Sequence, residues 1–153
     1  MTEVTFHTGV GDRLAYACRL LRKAQRGGAR IAVTGEASSL AELDRALWSF
    51  DPLAFVAHVR LPAGAQPTPA QRAATPIWLV EHAADAPAVP VLVNLGPEVA
   101  VGFESFERLI EVVGDAAEER LAGRQRWKHY ADRGYTLLHH DRAGAAGQPD
   151  RGG

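Results

Sequence analysis

Apolar positions in this chain come as short continuous runs interleaved with stretches at helical spacing, and that alternation sets out the elements. Val4 to His7 reads as a first strand. Asp12 then caps a helix carrying Leu14, Ala17, Cys18 and Leu21 on one face and closed by Gly27-Gly28. Ile31 to Thr34 is a second strand. Ser39 and Glu42 form a capping box for a second helix, with Leu40, Leu43 and Leu47 turned inward. Phe55 to Val59 is a short strand. From Arg60 to Pro76 the chain holds four prolines and no period, which predicts a surface loop with one helical turn after Pro69. Ile77–Val80 and Pro90–Leu95 are nearly unbroken apolar runs, as in strands covered on both faces. Phe106, Leu109, Ile110 and Val113 have the spacing of a third helix. A proline-free helix follows from Asp115 to Arg133 and stops at Gly134, and Tyr135 to Leu138 forms a last strand.

Strands alternating with helices predict one α/β domain over residues 1–142, a layered sheet with helices on both faces in a Rossmann-like topology. The stretch 143–153 is Gly, Ala, Pro and charge, and is expected to be a disordered tail. A chain of 153 residues is long enough to bury a core without staples. Its net charge of −1 excludes a surface built throughout for nucleic acid, so any basic function is local and contact with DNA is mainly indirect. The single cysteine, Cys18, lies on an apolar helix face and reads as a buried inert thiol. With no leader and no long apolar segment, a cytoplasmic protein without membrane contact is expected.

The familiar catalytic patterns are incomplete. Gly9-Val10-Gly11 stands where a dinucleotide-binding fold keeps its phosphate loop, but Leu14 occupies the third glycine position, so a plain strand-to-helix turn is the better reading. A nucleotide-dependent α/β enzyme using the Gly9/Gly11 turn stands as the alternative. The six histidines show no metal-ligand spacing, and no cofactor or metal is called for.

The helix from Asp115 to Arg133 carries the most distinctive chemistry. Its first turn is acidic and its later turns are basic, which suits the helix dipole. At ~100° per residue, Arg120, Arg124, Trp127 and Lys128 share one face, with three cations around one flat ring. Such a face fits an acidic peptide end or a nucleic-acid strand. The helix lacks a Leu/Ile/Val stripe, so either Trp127 and Tyr130 anchor it to the body or part of its surface awaits a partner.

Several fragments, in order and spacing, resemble the chi subunit family of bacterial DNA polymerase III. They are Leu43-Asp44-Arg45-Ala46-Leu47-Trp48, Phe55-Val56-Ala57-His58, Pro76-Ile77-Trp78-Leu79, Pro90-Val91-Leu92-Val93-Asn94-Leu95, and Arg126-Trp127-Lys128-His129-Tyr130 with Gly134-Tyr135. The resemblance extends from Val4 to about Asp141. It implies a non-catalytic α/β adaptor in the clamp-loader assembly that docks the psi subunit, in some bacteria a repair helicase, and binds the acidic C-terminal tail of single-stranded DNA-binding protein. Carried over residue by residue, it assigns Arg120, Arg124, Trp127 and Lys128 to the tail site and Trp48 and Phe55 to docking of psi or the helicase. The short turn Val113-Gly114-Asp115 departs from the family pattern and implies a differently shaped pocket for the tail's phenylalanine.

Overall fold

A computed structural model describes residues 1–49 and 55–143; the tail expected over 143–153 lies, from residue 144 on, outside them. Seven strands form one sheet: β1 (Glu3–Val10), β2 (Ile31–Thr34), β3 (His58–Leu61), β4 (Ile77–Val80), β5 (Val91–Asn94), β6 (Arg108–Gly114) and β7 (Leu137–Asp141). Their order across the sheet is β3-β4-β2-β5-β6-β1-β7, and every pairing is parallel. The α-helices among the described residues are α1 (Arg13–Arg26), α2 (Ala37–Ser49), α3 (Pro69–Ala74) and α4 (Ala117–Asp132).

The chain is an α/β domain with helices flanking a parallel sheet, as the alternation predicts. α1 and α2 cover one face, where Ala17, Cys18, Leu21, Leu40, Leu43 and Leu47 meet Ile31, Val33, Ile77 and Leu79. α4 covers the other, where Tyr130 meets Phe6, Trp78, Phe103 and Leu109. β2, β4 and β5 are buried along their whole length, which explains their unbroken apolar runs. The strand order is not the 3-2-1-4-5-6 of dinucleotide-binding folds, because β1 lies near one edge between β6 and β7. No helix among the described residues is long and apolar enough to cross a membrane.

Asp12 caps α1 as expected, accepting from Ala15 N at 3.1 Å. Burial, with Asp12 nearby, pushes the Cys18 thiol above its ordinary range and keeps it protonated. Three expectations need correction. The segment read as a third helix is strand β6. Its spacing of Phe106, Leu109, Ile110 and Val113 imitates a helix, but the β-branched residues and a seven-residue length favour a strand, and Glu111 is buried rather than solvated. α2 starts at Ala37, with Leu40 N bonded to the Glu36 carbonyl, so Ser39 lies inside the helix and makes no capping box. β3 begins at His58, not Phe55, and takes two residues from the expected loop. In that loop the helical turn after Pro69 is α3, capped by a reciprocal Thr68–Gln71 box.

Candidate functional site

α4 crosses from β6 to β7 over β1, and it is held by an unusual inner stripe: Gly123, Arg126 and Tyr130, at helical spacing, are its buried residues. At Gly123 a Cβ would fall 2.8 Å from Val113 Cγ1, so glycine permits close approach to β6. Arg126 is only 4% exposed and donates from Nε to Glu111 Oε1 at 2.9 Å and from Nη1 to the Pro97 carbonyl at 2.8 Å. Tyr130 donates its hydroxyl to Glu111 Oε2 at 2.5 Å, and Asn94 Nδ2 lies 3.1 Å from Glu111 Oε1. Glu111 is fully buried; burial pushes its carboxyl above the ordinary range, against the lowering pull of Arg126 and of the hydrogen bonds. Burial and the Glu111 charge together raise the Tyr130 phenol, so that hydroxyl stays a donor.

The outer side of α4 forms one wall of a cleft of about 650 Å³. Phe6 and Val113 supply its apolar floor, Arg120, Arg124 and Trp127 its helix wall, and His139 and Asp141 of β7 the far side. Trp127 is half-buried: its ring stands edge-on to Phe6 at 5.0 Å and reaches His139 at 6.0 Å. Neither Arg120 nor Arg124 is paired with a carboxylate among the described residues. Asp115 and Asp141 also line the cleft, so its positive character is confined to the helix wall. Two unpaired guanidiniums beside an apolar floor can hold a carboxylate while the ring walls in an apolar side chain. The fourth residue assigned by resemblance, Lys128, pairs with Asp132 at 3.0 Å and is not among the residues lining the cleft.

Gly9 lines the edge of the same cleft, in a crowded turn. It has φ +69°, and a Cβ there would lie 2.5 Å from Ala143 N and 2.7 Å from Asp141 Oδ1, so the chain leaving β7 covers the turn. No group of histidines, cysteines and carboxylates among the described residues could hold a metal ion.

Trp48 and Phe55 lie far along the sheet order, beside β3. Both are outside the core, at 59% and 69% exposure, with ring centroids 5.6 Å apart. Trp48 also packs on His58 at 4.9 Å, and the two ring nitrogens of His58 are hydrogen-bonded to Asp44 Oδ1 and the Val56 carbonyl. The aromatic pair therefore rests on a fixed base while its outer surface meets solvent.

Sequence reading overlooked Phe6, His139 and the Glu111 network. Phe6 and His139 belong to strands far apart in sequence and come together only through the β1–β7 pairing. Glu111 sat in a segment assigned to the wrong element, and no local pattern marks a glutamate as internal.

Residues 1–138 match the family described as DNA polymerase III chi subunit, HolC. The chain is 30% identical to the DNA polymerase III subunit chi of Pseudomonas aeruginosa, over 92% of this chain and 96% of that protein. Members of the family are non-catalytic accessory proteins. By the extent of both matches, this chain belongs to the DNA polymerase III chi subunit family.

Proposed function

We propose that this chain is a cytoplasmic adaptor that links the clamp loader of DNA polymerase III to DNA coated with single-stranded DNA-binding protein. Its α4 cleft takes the acidic C-terminal tail of that protein, and the exposed Trp48–Phe55 pair docks psi, or a repair helicase where one serves. The observation that carries the reading is the pair of guanidiniums, Arg120 and Arg124, without a carboxylate partner among the described residues, on one wall of a cleft floored by Phe6. Charge-assisted hydrogen bonds to a carboxylate contribute roughly 1.5–3 kcal/mol each. Lys128 contributes longer-range attraction from the same helix rather than a direct contact.

The test is titration of a labelled acidic peptide ending in phenylalanine with a free carboxylate. Binding is expected to weaken as salt rises, since exposed charges are screened. Amidating the peptide terminus, or the substitution Arg124→Glu, is expected to weaken it about tenfold or more, equivalent to ~1.4 kcal/mol. Equal affinity for the amidated peptide would remove the carboxylate mechanism.

A further inference from the structure

The cations of the cleft occupy one side of α4, and an internal charge network holds the other. Arg126 follows Arg124 by two positions, so it points about 200° further round the helix. Its partner Glu111 is the register neighbour of Phe6, the floor of the cleft. Phe6 in turn touches both Trp127 and Tyr130 edge-on. The network is thus one strand spacing from the cleft and draws on β5, β6, α4 and the Pro97 carbonyl.

Stability alone does not require these groups. A buried ion pair replaced by apolar residues of similar volume often leaves a protein equally stable or more so. An apolar stripe, however, restrains rotation about the helix axis less sharply than hydrogen bonds of fixed direction. We propose that Glu111, acting through Arg126 and Tyr130, is a positioning residue for the cleft: it sets the rotation of α4 that aims Arg120, Arg124 and Trp127 at the ligand. This inference rests on the peptide-binding reading above.

The decisive variant is Glu111→Met/Arg126→Met/Tyr130→Phe, which removes charge and donors together and leaves Asn94 its bond to the Glu98 carbonyl. Its melting temperature is expected to stay near that of the parent while affinity for the acidic peptide falls about tenfold, a loss of ~1.4 kcal/mol. Parent-like affinity in the folded triple variant would overturn the proposal. If the triple variant does not fold, Tyr130→Phe alone decides it. Loss of that one hydroxyl is expected to weaken peptide binding severalfold and to broaden the fluorine resonance of fluorotryptophan at position 127, and parent-like values of both would overturn it. Arg124→Glu run in parallel separates the two readings. If it leaves binding intact, the cleft is not the peptide site; if it weakens binding while the network variants do not, only the positioning role fails.

Discussion

Trp127 divides its surface between two tasks. One edge meets Phe6 and the rest of the ring lines the cleft, so its removal should separate folding from binding. A fully buried aromatic truncated to alanine costs ~3–5 kcal/mol. Trp127→Ala is expected to cost clearly less than that in chemical denaturation, yet to weaken binding of the acidic peptide. A loss in the full range, with peptide affinity intact, would mark the ring as a core residue. Tyr130, three residues on, is wholly buried and does not line the cleft. Its folded pKa lies above the ordinary value of 10.0. Above that pH the unfolded chain releases the phenolic proton and the folded chain keeps it, so stability falls as pH rises. Tyr130→Phe is therefore expected to flatten the alkaline limb of the stability profile between the ordinary tyrosine range and the raised folded value. An unchanged alkaline slope would show that the phenol does not contribute to it.

α4 is the element on which the site depends, and its packing distance is set at Gly123. Alanine is the better helix former by ~1 kcal/mol in an open helix. Here its methyl would lie within 3 Å of the stiff Val113 side chain, so α4 would have to lift. Overpacking of this kind costs about 1–3 kcal/mol, so Gly123→Ala is expected to lower the melting temperature rather than raise it. The helices were the more legible elements, because a cap, an inner stripe and a closing glycine are all local signals. That is why α1 and α4 lie within two residues of the sequence reading. β6 was misread because its apolar spacing suits two periods, and a glutamate inside is explained only by partners at least fifteen residues away, Arg126, Asn94 and Tyr130. At the site, Arg120, Arg124 and Trp127 were legible as one helix face. Lys128 shares that face, and its ion pair with Asp132 was not legible, because angular position says nothing about where a flexible ammonium finds its partner.

At the scale of the molecule the two candidate surfaces are separated by most of the sheet: Trp48 and Phe55 flank the β3 end, and the cleft adjoins β7 at the other. The proposed function therefore predicts two docking surfaces that work independently. Trp48→Ala is expected to abolish co-purification with psi or a helicase while leaving peptide affinity and melting temperature near parental values. Joint loss of both binding activities would mean that the surfaces are not independent. The β1–β6 and β1–β7 pairings have a further consequence, in time rather than in space. Phe6, Thr8 and Gly9 emerge from the ribosome more than a hundred residues before Arg120, Trp127 and His139. Contacts so distant along the chain form slowly, after the intervening loop has been closed. A nascent chain halted before β7 can already possess α2 and Trp48 but has no cleft. If the cleft is the peptide site, as proposed, binding of the acidic peptide requires synthesis through β7, and a chain truncated before it keeps the Trp48 surface and lacks the cleft.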